Sequence, residues 1–250
     1  MYTLKKSLGQ HFLIDEGICL QIVNVLKQRD FSRLMEVGPG GGALTKYLLD
    51  IPDVEFIAIE LDEEKVNFLE KKFPSIKGKL INQSILDITC PFKGSFTMIG
   101  NFPYNISTQI MFRVLDWHDQ IETVIGMFQK EVAERIVSGP NNKDYGILSV
   151  LLQAFYKVEY LLDVNENCFT PPPKVKSGVI RLINQGNPHG ITDMNKFIRL
   201  VKTAFGQRRK QLRNPLKAMF ETDFLQEDIF TKRAENLSVA DYVFLMNKMK

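Results

Sequence analysis

No stretch constrains the fold of this chain more than Leu34-Met35-Glu36-Val37-Gly38-Pro39-Gly40-Gly41-Gly42, followed by Ala43 to Leu49. A short apolar run, too brief for a helix, enters a loop with four glycines in five residues and leaves in helix-forming residues. Glycines admit backbone geometries closed to other residues and leave N–H groups free at a helix N-terminus. The strand–helix alternation then continues. Val54 to Ile59 reads as a strand ending at Glu60, and Asp62 to Lys72 as a helix with Val66 and Leu69 at helix spacing. Lys79 to Asn82, Phe96 to Gly100 and Thr123 to Phe128 read as three further strands. Such alternation predicts an α/β chain with a parallel, doubly wound sheet. Ligands bind these sheets beyond the C-terminal strand ends. Gly38–Gly42, Glu60 and Asn101 all fall at such ends.

After the Pro171-Pro172-Pro173 break, Val175 to Ile183 reads as one more strand, and Asn184 to Gly190 as a linker. The rest has no strong strand pattern. Two domains are therefore expected, 1–185 around the sheet and 191–250 as a small all-helical domain. Net charge is only +3, but Met194 to Phe220 holds eight basic residues and no acidic one. Outside that window 24 basic residues face 29 acidic, a net of −5. One concentrated basic stretch in a near-neutral chain suits a polyanion partner such as nucleic acid, with Arg208, Arg209, Lys210 and Arg213 as the candidate phosphate contacts. The competing reading is a solvated helix face.

The remaining composition excludes more than it identifies. No apolar run is long enough to cross a membrane as a helix, and Met1 to Lys6 lacks the core of a signal peptide. No membrane association and a cytoplasmic location are expected. Cys19, Cys90 and Cys168 are odd in number, without metal-ligand spacing, and read as reduced thiols. With three histidines in all, a metal site is not expected.

Glu60 lies about twenty residues past the glycine loop, where an acidic side chain can accept both hydroxyls of a ribose. Gly38-x-Gly40-x-x-Ala43 also satisfies the dinucleotide fingerprint, so a nicotinamide-dependent dehydrogenase is a rival. Against it, Glu36 beside the glycines is a poor neighbour for a pyrophosphate, and no His or Tyr-Lys hydride-transfer site is visible. S-adenosylmethionine has no phosphate and carries an ammonium and a sulfonium. The second motif, Asn101-Phe102-Pro103-Tyr104, fits that donor. An exocyclic nucleobase amine is a poor nucleophile until both its N–H bonds are accepted. The Asn101 side-chain oxygen can take one and the Phe102 carbonyl the other, Pro103 stiffens the turn, and Tyr104 can stack on the base. A plain strand-ending turn would use similar residues.

These motifs, in order and over nearly the whole length, resemble the small-subunit ribosomal RNA adenine dimethyltransferases of the KsgA type. Ser7-Leu8-Gly9-Gln10-His11-Phe12-Leu13 resembles the family's N-terminal motif, Glu36 to Thr45 its cofactor loop and Asn101 to Ser107 its catalytic motif. Phe128 to Arg135, Tyr145 to Val150, Phe169 to Ser177 and Phe205 to Asn214 resemble its later motifs. The resemblance implies a Rossmann-like class I methyltransferase sheet with a small C-terminal helical RNA-binding domain. It implies S-adenosylmethionine as cofactor and dimethylation of N6 on two adjacent adenosines near the 3′ end of small-subunit rRNA. The expected partner is an immature small-subunit (30S) particle, and the chain is expected to be a monomer. By motif, His11, Leu13, Gly38, Gly40, Glu60, Ser84 and Asn101 would surround the cofactor. Asn101, Phe102, Pro103, Tyr104 and Phe169 would hold the adenine, Tyr104 and Phe169 sandwiching it. His11 stands where the family usually has Asn, Ser84 where an Asp usually meets the cofactor adenine, and Lys176 where Asp is frequent. Gln83 could replace Ser84 in that role. Losing a charge-assisted acceptor at Ser84 predicts modest cofactor affinity. Two rivals remain: a large-subunit adenine methylase conferring macrolide resistance, and a non-catalytic nucleic-acid-binding factor on the same fold.

Overall fold

A computed structural model describes residues 11–250 of the chain. Ser7 to Gln10, the first part of the N-terminal motif, lie outside the described residues. The chain divides into two compact units. One comprises the described residues up to Ala133 with Glu159–Asn184, and the other Glu134–Val158 with Gln185–Lys250. Residues 134–158 thus group with the C-terminal part, whereas the sequence boundary near 185 assigns them to the first domain. Nothing in their composition marks the excursion.

The first unit is built on β1 (Phe12–Leu13), β2 (Arg33–Val37), β3 (Glu55–Ile59), β4 (Leu80–Ile81), β5 (Phe96–Asn101) and β6 (Ile121–Gln129), with β7 (Tyr156–Val164), β8 (Phe169–Thr170) and β9 (Ser177–Asn184). Seven of these form one sheet in the order β4-β3-β2-β5-β6-β9-β7. β2 pairs in parallel with both β3 and β5, β3 with β4, and β5 with β6. β9 pairs antiparallel to β6, so the sheet is mixed rather than wholly parallel. β7 falls outside the strands expected from sequence, although Lys157, Glu159 and Asp163 alternate with apolar residues as in a half-exposed strand. β1 and β8, two residues each, form a separate antiparallel pair with Leu13 opposite Phe169.

The central strands are apolar runs because both faces are covered. All but the last residue of β5 are buried. Helices α1 (Glu16–Leu26), α2 (Thr45–Leu48), α3 (Glu63–Lys72) and α4 (Ser107–Asp116) connect the strands. Asp15 caps α1, accepting from the Ile18 N–H at 3.0 Å, and Asp62 caps α3, accepting from Glu64 N–H at 3.2 Å. α5 (Lys130–Val137) follows β6.

The second unit holds α6 (Ile147–Gln153), α7 (Met194–Gly206), α8 (Arg213–Leu216) and α9 (Val239–Lys248), with short 3-10 turns between. α7 buries Phe197, Leu200, Val201 and Ala204 on one stripe. Tyr145 meets the Phe205 ring edge-on and Phe205 stacks on Tyr242, both with centroids 6.2 Å apart. The Tyr242 hydroxyl donates to the Ala234 carbonyl at 2.8 Å.

Gly100 in β5 lets the sheet pack at its centre. A Cβ there would lie 2.4 Å from the Val37 carbonyl oxygen and 2.9 Å from the Phe102 ring. The carbonyl is backbone and cannot swing away. Gly100→Ala is expected to lower stability by about 1–3 kcal/mol, as overpacking does, read as a lower urea midpoint at unchanged slope.

Candidate active site

Three strand ends converge on one cavity of about 570 Å³, within the usual range for small-ligand sites. It lies where the strand order reverses, between β2, which runs outward to β3 and β4, and β5, which starts the other half. His11, Leu13, Gly38, Gly40, Glu60, Ser84, Asn101, Phe102, Pro103 and Tyr104 all line it.

The glycine loop turns on positive φ at Gly38 (68°) and Gly40 (54°). The Gly38 N–H donates to the Ile59 carbonyl at 2.9 Å, tying the loop to β3. Glu60 accepts from the Gly40 N–H at 3.1 Å and the Asp62 N–H at 2.9 Å. One carboxylate thus joins the glycine loop to the turn after β3. Burial, the largest influence, raises the Glu60 pKa, and those two N–H donors act against it. The Asn82 amide donates to the Glu60 and Leu61 carbonyls at 2.9 and 3.0 Å, holding the same turn.

Glu36 is 2% exposed at the cavity wall. Its Oε2 has no hydrogen-bond partner among the described residues. Burial pushes its pKa up to about 8, with the neighbouring Glu60 adding to the rise. A buried acid with one unpartnered oxygen suits a cationic ligand and disfavours a phosphate. Together with Glu60 this fits S-adenosylmethionine: Glu60 would hold the ribose, and Glu36 would face the cationic amino-acid end. Ser84 and Gln83 both reach the cavity, but the Ser84 hydroxyl already accepts from the Leu86 N–H at 3.1 Å.

Asn101 ends β5 opposite Met127 of β6, and the Phe102 N–H donates to the Met127 carbonyl at 3.2 Å. Pro103 packs close to Gly38, 3.6 Å from where a Cβ would stand. The Asn101 amide nitrogen donates to the His11 carbonyl at 2.9 Å. Because that partner can only accept, the amide is oriented and its oxygen is left for an incoming N–H. The His11 ring stacks on Tyr104 with centroids 5.5 Å apart, and the Tyr104 hydroxyl meets Ser177 Oγ. The Phe102 ring is buried edge-on against Phe128, so only its backbone is available to the cavity.

Phe169 is not brought to the cavity. It is 2% exposed, paired with Leu13 across β1–β8, and belongs to the apolar core. The expected sandwich with Tyr104 is not formed here, because strand pairing turns the ring inward. Sequence reasoning also missed Phe12, Asp62, Lys65 and Asn82. Of these, Phe12 stood in the N-terminal motif without a role of its own, and Asp62 carried a signal as an acidic residue before an acidic first helical turn.

In the second unit, Arg208 pairs with Glu235 at 3.3 Å and donates to the carbonyls of Asn142 and Lys143. Arg213 donates to the Leu225 carbonyl at 2.9 Å. Both residues thus make bonds within the unit. Arg209 and Lys210 are exposed and line a surface cleft of about 510 Å³ with Gln211, Asn214 and Arg233. Arg233 lies outside the basic stretch and joins it through a bridge to Gln211.

The fold and the cavity define a Rossmann-like class I methyltransferase with S-adenosylmethionine as cofactor. The family model for ribosomal RNA adenine dimethylases matches residues 1–250, and the chain belongs to that family. It is an S-adenosylmethionine-dependent rRNA adenine dimethyltransferase. It is 50% identical over 250 residues to the ribosomal RNA small subunit methyltransferase A of Flavobacterium johnsoniae, covering 98% of this chain and 95% of that one. It is 48% identical to the protein of the same name from Cytophaga hutchinsonii, covering 98% and 96%. A crystal structure of a dimethyladenosine transferase from Plasmodium falciparum superposes with a TM-score of 0.82 at 24% identity, over 96% of this chain and 99% of that one. The last likeness concerns the fold alone.

Glu36 gives the ligand-free protein a defined pH dependence. In the unfolded chain it loses its proton near 4.5, and in the fold near about 8. Between those values the folded state binds more protons, so stability falls as pH rises through the window and levels off above it. Glu36→Gln is expected to remove that fall. Urea unfolding in steps across the window should show the variant gaining on the native protein as pH increases.

Proposed function

We propose that this chain dimethylates N6 of two adjacent adenosines in the 3′-terminal hairpin loop of small-subunit rRNA, in small-subunit ribosome biogenesis. The substrate is an immature 30S particle, and the enzyme acts as a cytoplasmic monomer. The observation that carries the reading is the Asn101 amide, turned by the His11 carbonyl so that its oxygen can accept from an amine. The small-subunit assignment is supported by the names of relatives matching across nearly the full chain. Among the described residues no helix is long and apolar enough to cross a membrane.

S-adenosylmethionine, when bound, supplies an electrophilic methyl on a sulfonium. The protein's own task is to hold the amine and exclude water. Asn101 Oδ1 accepts one amine N–H and the Phe102 carbonyl the other, which pulls the nitrogen toward a tetrahedral, nucleophilic form. Tyr104 supplies a stacking face for a base flipped out of its loop, after the His11 ring yields that face. Phe169 pairs with Leu13 and packs in the apolar core behind the β1–β8 pair. Once methylated, the amine proton is acidic and leaves to water, so no strong base is required. Positioning and a preorganised polar site supply most of the acceleration.

Arg209, Lys210 and Arg233 make the cleft that would take RNA phosphates, and Arg208 and Arg213 shape the unit that carries it. Arg209→Ala with Lys210→Ala should weaken particle binding and reduce its salt slope by about 1 per lost phosphate contact. Arg208→Ala should instead lower stability.

The deciding assay is methyl transfer from labelled S-adenosylmethionine to undermethylated small subunits, with large subunits alongside. Label is expected in two adjacent small-subunit adenosines. Asn101→Ala should reduce it by about 100-fold or more, the scale for loss of one positioned polar group at a reacting centre. Label on large subunits alone would transfer the chain to the resistance-methylase activity. No label on either would leave it a binding factor.

A further inference from the structure

Lys65 is fully buried, although lysine ordinarily reaches water. It lies on the first turn of α3, three residues after Asp62. Its ammonium meets Asp62 Oδ2 at 3.3 Å, and both side chains are wholly shielded from solvent. The same ammonium sits 5.0 Å from the centroid of the Phe12 ring. Phe12 in turn packs on the glycine loop: a Cβ at Gly40 would come within 2.9 Å of Phe12 Cε1. Gly40 and Asp62 are the two residues whose N–H groups Glu60 accepts.

We propose that Lys65 is a positioning residue of the cofactor ribose site, acting through Asp62 and Phe12 on the Glu60 carboxylate and the glycine loop. The proposal rests on Glu60 holding the ribose. A buried ammonium this close has two effects. It fixes the Asp62 carboxylate, which caps α3 through its other oxygen, and so fixes the turn that donates to Glu60. It also biases Glu60 toward the ionised form a ribose hydroxyl needs. The charged groups acting on Glu60 are Lys65 and Asp62 on the α3 side, and Glu60 in turn raises the pKa of Glu36 on β2. Burial raises the Glu60 pKa, Asp62 raises it further, and Lys65 opposes both. Phe12 gains a cation on its face and is held against the loop where the N-terminal strand closes over it.

The test is calorimetric binding of S-adenosylhomocysteine as a function of pH, for the full chain and three variants. Glu36 is present in all four, so differences among them report on the α3 side. Lys65→Met keeps the volume and removes the positive charge. Its affinity should fall at neutral pH and its pH midpoint should rise, because a positive charge that opposes protonation of Glu60 is gone. Asp62→Asn retains a helix cap and should lower the midpoint. Combining Asp62→Asn with Lys65→Met should return it close to the native value, as a packing role would not. If Lys65→Met does not fold, the comparison of Asp62→Asn with the double variant still decides, because the two must then differ. Equal midpoints in those two, or a folded Lys65→Met with native affinity at every pH, would overturn the proposal. Glu60→Gln separates it from the reading beneath it. If that variant binds as the native protein does, Glu60 does not hold the ribose. If it loses affinity while the Lys65 variants do not, only the role of Lys65 fails.

Discussion

Parallel pairing of β2 with β3 on one side and β5 on the other is the constraint from which the site follows. It sets Val37, Ile59 and the end of β5 side by side, so three otherwise unrelated loops leave the sheet at one edge. The chain reverses its strand order between β2 and β5, and the two halves diverge there to leave a crevice. The register is held by buried apolar strands with no slack: Gly100 has backbone where a side chain would begin. The glycine loop, Glu60 and Asn101 are far apart in sequence and meet because three strands share hydrogen bonds.

Polar chemistry in the cavity is arranged by hydrogen bonds to groups with only one possible role. Asn101 donates to a carbonyl, so its oxygen is committed to accepting. Glu60 accepts two backbone N–H groups, so it remains an acceptor despite burial. Glu36 has an oxygen with no partner among the described residues and stays costly until a cation arrives. The three differ in what they lack, and each therefore offers the cavity a different polar character.

The same logic divides the basic stretch. Met194 to Phe220 reads as uniformly cationic, yet Arg208 and Arg213 bond to carbonyls and to Glu235 within the helical unit. Arg209 and Lys210 keep theirs at the surface, joined by Arg233 from a later turn. Guanidinium forks suit buried carbonyl clusters as well as phosphates, so charge alone could not separate the two uses.

The glycine loop, the acid twenty residues on and the Asn-x-Pro-Tyr turn were legible in sequence, since each depends on local backbone geometry: positive φ, strand ends, a proline-stiffened turn. From them came the α/β class, the cofactor and the reaction. Tertiary structure alone decided what depends on distant pairing. β8, two residues long, carries no pattern of its own and forms by pairing with β1. Phe169 turned into the core because Leu13 pairs beside it, and His11 came to orient Asn101 through a backbone oxygen that no side-chain motif encodes. Lys65 reads as one more charged residue on an exposed helix. It is buried beside Asp62 and the Phe12 ring, and only packing at a distance brings Phe12 there.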